Sequence, residues 1–369
     1  MADHRLIYSD PYSYCAHPHA VILADGTILV VFNRAPRRRA ILHPPQDPAF
    51  ENVMTRSRDG GRTWAAPVVV PDYGWSGVEC AGLTVTRTGR VLLNQFRFRW
   101  YPLPLALRRA AVEPIALPGE LVANLLGSTE LDSGSTYAAD PERLAPWGRG
   151  NGRSFVHLSD DDGETFTRTV ELDVSPYVGG YGMRGAAELA DRTLVLPLSD
   201  APHYERVFVL RSDDGGFGWS APIAAAEDPS CLFEEPAALA LPSGRVIMLL
   251  RENRRRTMFS VHSDDGGRSW STPVPTGIDG YPPHLLLLGD GRLLCTYGYR
   301  KPPFAIRAVL SHDSGATWET GQTIAIRENL PNKDLGYPCT GPVADGLLTV
   351  YYAEDADGLT GMWASSWNP

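Results

Sequence analysis

The chain gathers arginine at a few stations: Arg34, Arg37, Arg38 and Arg39; Arg97 and Arg99; Arg184; Arg251, Arg254, Arg255 and Arg256; and Arg300 and Arg307. A guanidinium presents a planar fork of donors that matches a carboxylate bidentately. In a chain of formal net charge −9, such gathering suggests a carboxylate-bearing ligand, with a solvated loop surface as the alternative for any single arginine. The negative whole-molecule field argues against nucleic acid or an anionic membrane as the bulk partner.

Other residue types exclude more than they offer. The histidines show no H-x-x-H or H-E-x-x-H spacing, and no glycine-rich loop follows a strand and opens a helix, so neither a metal nor a nucleotide cofactor is expected. Cys15, Cys80, Cys231, Cys295 and Cys339 are odd in number and far apart, which reads as buried thiols in a reducing compartment. No apolar run long enough for a signal peptide follows Met1-Ala2-Asp3-His4-Arg5, and no stretch would span a membrane, so a cytoplasmic location is expected.

The elements that must position the arginines are written as repeats. Five octets of the form S-x-D-x-G-x-T/S-W stand at Ser57–Trp64, Ser159–Phe166, Ser212–Trp219, Ser263–Trp270 and Ser311–Trp318. Asp and Gly build a tight turn, the hydroxyls close it, and the aromatic plugs the core, so the octet is a staple and not a catalyst. Six apolar hairpins turn around Asp25-Gly26, Thr88-Gly89, Asp191-Arg192, Ser243-Gly244, Asp290-Gly291 and Asp345-Gly346. Their strands are too short for helices and carry turn chemistry at the centre.

Hairpin, strand, octet and strand, repeated six times, predict an all-β fold, a six-bladed propeller of four-stranded antiparallel blades forming one domain over 1–369. With strands labelled A to D outward from the axis, each octet joins C to D. The last unit lacks an octet, and Leu6-Ile7-Tyr8 is expected to supply its outer strand. In an antiparallel blade the A–B and C–D turns share one face, while B–C and D–A connections share the other. The octets therefore mark the face opposite the long loops, where binding sites are built. Blades one and two carry insertions on that face. The larger, Tyr101 to Gly150, reads as a lid or an oligomer contact, or as surface decoration, with a short helix expected over Glu120 to Leu126.

The octets and the six-hairpin layout together resemble the sialidase (neuraminidase) superfamily, over nearly the whole chain. Glu235-Pro236, Leu241-Pro242-Ser243-Gly244-Arg245 and Arg251 are similar to that family's E-P…L-x-x-G…R run. Gly336-Tyr337, the Asp345-Gly346 hairpin and Tyr351-Tyr352-Ala353-Glu354 are similar to its G-Y-S…D-G…L-Y-E segment. The resemblance implies a nucleophilic Tyr337 activated by Glu235, with Arg251 gripping a substrate carboxylate. A neutral phenol can approach an anomeric centre bearing a carboxylate where Asp or Glu would be repelled. It also implies an Asp acid in the B–C loop of blade one, where Asp47 stands, with Glu51 and His43 as competitors. A further clamping arginine is implied in blade five, either Arg307 or Arg300.

The first blade departs from the family. Where sialidases open with R-I-P, this chain reads Ala16-His17-Pro18, and Asn33-Arg34 replaces a common Glu-x-Arg. Arg34, Arg184, His17, His19, the Arg37 to Arg39 run and Glu354 are the remaining candidates for contact with substrate. The expected function is an exo-acting glycoside hydrolase for a terminal sialic-acid-like or other acidic sugar. The alternatives are a non-catalytic glycan-binding propeller and an exo-glycosidase for another sugar using paired carboxylates such as Asp47 and Glu235.

Overall fold

The computed structural model describes residues 2–38, 40–123 and 140–369. Six sheets, each with four antiparallel strand positions, form a ring. Blade one runs Ser13–Ile22, Ile28–Pro36, Glu51–Ser57 and Val68–Val69; blade two, Gly82–Val85, Val91–Pro102, Trp147–Ser159 and Arg168–Leu172. Blade three has an inner strand in two pieces, Gly180–Tyr181 and Ala187–Glu188, followed by Leu194–Asp200, Val207–Ser212 and Ile223–Ala226. Blade four is Phe233–Ala240, Val246–Glu252, Thr257–Ser263 and Val274–Pro275; blade five, His284–Leu287, Leu293–Tyr299, Phe304–Ser311 and Ile324–Leu330. In blade six, Gly336–Val343, Gly346–Glu354 and Thr360–Trp367 are completed by Asp3–Tyr8 from the other end of the chain. That strand closes the ring, as its sequence position implied.

Each octet folds as its residue types dictate. Ser57 Oγ donates to Asp59 at 2.8 Å and accepts from the Gly61 amide at 2.9 Å, while Asp59 accepts from the Thr63 amide at 2.9 Å and its hydroxyl at 2.6 Å. Gly60 and Gly61 sit at positive φ, which a side chain would oppose. Asp161, Asp265 and Asp313 repeat the arrangement, and Asp214 keeps the amide bond, from Gly218, which has no hydroxyl.

The inner strands depart from regular pairing at the same place in three blades. Register shifts fall between Ala16 and His19, between Glu234 and Ala237, and between Gly336 and Cys339. Within these bulges His17, Glu235 and Tyr337 have φ of 57°, 51° and 51°, and each precedes a proline. Left-handed backbone costs a non-glycine residue about 1–2 kcal/mol, so three such residues persist only where their surroundings over-determine them. A bulge re-aims a side chain out of the ladder, and here it turns all three toward the axis.

Arg184, from the gap between the two pieces of the blade-three inner strand, ties down two of these bulges, those of blades one and six. Its guanidinium donates to the carbonyls of Pro283 at 3.1 Å, Pro18 at 3.4 Å and Pro338 at 2.9 Å, tying blades five, one and six to blade three. The approach of this segment to blade two is so close that a Cβ on Gly185 would meet the Leu83 carbonyl at 1.9 Å.

Two outcomes follow from these contacts. The octet hydrogen bonds hold the Asp59 and Asp265 carboxyls below their ordinary 3.8. A carboxyl depressed in the folded state adds stability above its unfolded value and loses it as pH falls, so stability should drop below about pH 4. Replacing both by Asn should lower the urea midpoint at neutral pH and flatten that acid-side fall; an unchanged slope would remove the octets from the acid response. For Arg184→Met, three carbonyls lose their donor while relief of a buried charge offsets part of the cost, so the expected loss is about 2–4 kcal/mol. Denaturant unfolding measures it, and a variant as stable as wild type would refute the staple.

Candidate active site

The three bulged residues meet in a cavity of about 500 Å³ on the face opposite the octets, lined also by His43, Glu79, Cys80, Arg149, Tyr181, Tyr204, Glu234, Arg251, Arg300 and Tyr352. Tyr337 donates its phenolic hydrogen to Glu235 Oε1. The other oxygen, Oε2, accepts from Arg251 Nη1 at 2.8 Å. Tyr337, Glu235 and Arg251 thus form one hydrogen-bonded chain from three inner-face positions. Burial, followed by the Glu235 charge, pushes the Tyr337 phenol well above its ordinary 10.0, while Arg251 and Arg300 pull the other way. The resting hydroxyl is therefore neutral.

A second carboxylate supports the first. Glu234 accepts from Asn253 at 2.5 Å and from the Tyr181 hydroxyl at 3.4 Å, and lies 3.4 Å from Arg251 Nε. Burial foremost raises its carboxyl above the usual range, Arg251 opposing and Glu235 adding to it. Arg251 and Arg300 flank the ring of Tyr281 at 4.3 and 5.2 Å. Arg300 donates to the Leu335 carbonyl at 3.0 Å and to the Tyr352 hydroxyl at 3.3 Å. Arg251 Nη2 and Arg300 Nη1 make no hydrogen bond among the described residues.

On the first-blade side, the space where an arginine was missing from the sequence is held by His17. Its ring stands edge-on to Tyr337 at 4.5 Å and to Tyr352 at 5.4 Å, and its Nδ1 is buried without a partner. Burial, then the nearby His43 and Arg300 charges, drive its pKa well below 6.5, so the imidazole is neutral. Across the cavity, Glu79 is 4% exposed and its Oε2 also has no partner among the described residues. Burial is the main cause of a carboxyl raised well above 4.5, with the Glu234 and Glu235 charges adding and Arg149 opposing.

Several residues named from the sequence stand elsewhere. Asp47 is bound by Arg38 through both oxygens and also accepts from the Ala49 amide at 2.9 Å, lining a neighbouring pocket of about 140 Å³ together with Glu354 and Arg37. Arg34 pairs with Glu51 at 2.7 Å. Arg307 lies over the Tyr299 ring at 3.7 Å, away from the cavity, so of the two blade-five arginines it is Arg300 that lines it. Arg184 spends its donors on proline carbonyls beneath the floor. His19 accepts from the Leu83 amide at 2.9 Å at the same level. His43 is a lining residue, and Arg39 lies outside the described residues.

The blade-two insertion forms a wall of the cavity. Helix Leu103–Arg109, strand Ile115–Ala116 and one-turn helices Pro118–Leu121 and Pro141–Leu144 lie on it. The helix expected over Glu120 to Leu126 begins earlier and is one turn; residues 124–126 lie outside the described residues. Leu121, Val122 and Ala145 pack on Ala40 and Leu42 of the blade-one loop.

One cluster has metal-ligand residue types. His19, His284 and Cys339 place one ligand atom each within 4.8 Å of one another beneath the floor. Both imidazoles accept a backbone amide on Nδ1, from Leu83 at 2.9 Å and Thr340 at 3.3 Å. That puts the proton on Nε2, the reverse of a ligating histidine, whose second nitrogen donates. The Arg184 charge beside them also lowers both pKa values, after burial. The cluster does not suit a cation.

Comparison with known proteins adds the family. A search of curated proteins finds no match. A protein of unknown function from Dyadobacter fermentans superposes with a TM-score of 0.79 at 23% identity, over 98% of this chain and 96% of that one. The intramolecular trans-sialidase of Ruminococcus gnavus, in complex with oseltamivir carboxylate, gives 0.66 at 14% identity, over 99% and 96%. A leech intramolecular trans-sialidase, complexed with 2,7-anhydro-Neu5Ac, gives 0.68 at 16% identity, over 99% and 70%. At such identities these likenesses carry the fold. The model of the BNR repeat-like domain matches residues 143–350, more than half of the sequence. With its six blades and five octets, the chain belongs to that family as a sialidase-like BNR propeller.

Proposed function

We propose that the protein is a retaining, exo-acting glycoside hydrolase of sialidase type that removes a terminal acidic sugar. The observation that carries this reading is the hydrogen-bonded chain Tyr337–Glu235–Arg251 lining a cavity large enough for one monosaccharide. In the first step Tyr337 Oη attacks the anomeric carbon, its proton passes to Glu235, and the bond to the leaving oxygen breaks. In the second, water displaces the tyrosyl oxygen, which recovers its proton from Glu235. Arg251 stabilises the Glu235 carboxylate that accepts this proton.

The substrate carboxylate would sit between Arg251 Nη2 and Arg300 Nη1, whose donors are uncommitted among the described residues. The grip differs from a three-arginine clamp, because neutral His17 stands on the first-blade side and Arg184 is engaged with carbonyls. An acidic sugar read by two arginines, with sialic acids and uronic acids as the first candidates, fits this charge balance.

A panel of aryl sialosides, uronosides and arabinosides tests the reading. The wild type is expected to release one acidic sugar with retained configuration, and Tyr337→Phe to lose at least about a thousandfold in kcat. A fluorinated analogue of the cleaved sugar should leave its label on the peptide carrying Tyr337. Arg251→Ala should abolish preference for the free acid over its methyl ester. Binding to a glycan array without release from any substrate, unaffected by Tyr337→Phe, would establish a lectin-like propeller instead.

A further inference from the structure

Resting on that reading, glycoside cleavage needs a proton for the departing oxygen, and in a glycosidase that donor is as a rule a carboxyl, here one that faces the cavity and still carries its proton at neutral pH. Among the buried carboxyls of the cavity, Glu235 is engaged by Tyr337 and Arg251, and Glu234 by Asn253 and Tyr181. Asp47, in the loop where the acid was expected, is held in a two-pronged ion pair with Arg38 and lines a different pocket.

Glu79 meets each requirement. It lines the cavity, its side chain is almost wholly buried, and Oε2 has no hydrogen-bond partner among the described residues. Its backbone is clamped from three directions. The amide donates to the Phe96 carbonyl at 2.8 Å, and its own carbonyl accepts from Asn52 at 3.2 Å and Asn33 at 3.4 Å. A buried carboxyl without a partner cannot rest as an anion at low cost, whereas a protonated one carries a donor ready for an incoming oxygen. We infer that Glu79, from the start of the blade-two inner strand, is the general acid and base of this site, in place of Asp47.

The steps then balance. As Tyr337 forms its bond to the anomeric carbon and passes its proton to Glu235, the glycosidic C–O bond breaks and the Glu79 proton goes to the leaving oxygen. In the return step Glu79, now a carboxylate, takes a proton from water, whose oxygen attacks the anomeric carbon as the tyrosyl bond breaks. The Glu235 proton returns to Tyr337. The groups that face Glu79 are Cys80 beside it, Tyr181 and Tyr204 of blade three, Glu234 and Glu235 of blade four, and Arg149 of the blade-two C strand. Burial is the largest influence on its titration, the two glutamates oppose ionisation, and Arg149 alone among these favours it.

The test compares Glu79→Gln with Asp47→Asn and Tyr337→Phe on whichever acidic glycoside of the panel the wild type cleaves, as its methyl and its 2,4-dinitrophenyl derivatives. Glu79→Gln should lose about a hundred- to ten-thousandfold on the methyl glycoside but far less on the dinitrophenyl glycoside, whose leaving group needs no proton. It should also lose the alkaline limb of the pH profile. Glu79→Ala with added azide should yield the glycosyl azide with retained configuration. Tyr337→Phe should fail on both substrates, and thermal melts check that each variant is folded. Equal losses on the two glycosides, or the leaving-group and azide signature appearing in Asp47→Asn instead, would overturn the assignment to Glu79 while leaving Tyr337 in place. A wild type that cleaves nothing would overturn the glycosidase reading and this assignment with it.

Discussion

The geometry of this propeller depends on one buried cation at the axis. A propeller must bring six inner strands together at a point where regular pairing ends and backbone carbonyls face one another. Here three of those strands are bulged, and each bulge carries a proline, which offers a carbonyl but no amide hydrogen to answer it. Arg184 answers two of them, donating to the Pro18 and Pro338 carbonyls, and also meets the Pro283 carbonyl at the entry of blade five. Leaving them unmet in a dry interior would cost about 1–3 kcal/mol each, comparable to the left-handed backbone strain of the bulges above. His19 and His284, neutral beside that charge, complete the floor without adding to it.

Above the floor the charges are arranged so that a phenol stays protonated next to its base. Arg251 serves Glu235 directly and Glu234 at longer range, and burial would pull the guanidinium's pKa down were it not for Glu235 and Glu234, which push it well above its ordinary value. Removing one partner of such a buried pair is far costlier than the pair is stabilising, because an uncompensated charge remains. Arg251 pairs with Glu235 through one nitrogen while Nη2 makes no hydrogen bond among the described residues. Neutral His17 adds no charge on the third side.

The sequence carried the fold because its signals are local. An octet is closed by its own Ser, Asp and Thr, and a hairpin by its own Asp and Gly, so the blade count and the strand donated by Leu6-Ile7-Tyr8 follow without knowledge of the rest. Side-chain partners are a tertiary matter, and there the reading was uneven. Asp47 and Arg34 occupied suitable loops but are paired with Arg38 and Glu51. Arg184 occupied the right strand and points beneath the site, and Glu354 lines the side pocket. Glu79 gave no signal of its own, lying in Val78-Glu79-Cys80 without a turn or repeat to single it out. A signal for the bulges was present: His17, Glu235 and Tyr337 each stand nine residues before the hairpin glycine, Gly26, Gly244 and Gly346, and each precedes proline.

The blade-two insertion ties shape to electrostatics. The Trp147 indole donates to the Gln46 carbonyl at 2.8 Å, Arg149 to the Pro45 carbonyl at 2.6 Å, and Gln46 to the Leu121 carbonyl at 3.1 Å, so the His43 to Asp47 loop is pinned beneath the insertion. The same segment contributes Ala116, Glu120, Leu121 and Arg149 to the lining of the cavity that Glu79 faces. The same strand supplies Arg149, the one nearby cation that favours ionisation of Glu79. Held by the Pro45 carbonyl and lying over the Phe98 ring at 4.8 Å, Arg149 forms no ion pair with Glu79. It acts on it through space, favouring the ionised form against burial and the two neighbouring glutamates. One segment of chain thus supplies both a wall of the cavity and a cation that bears on the Glu79 carboxyl.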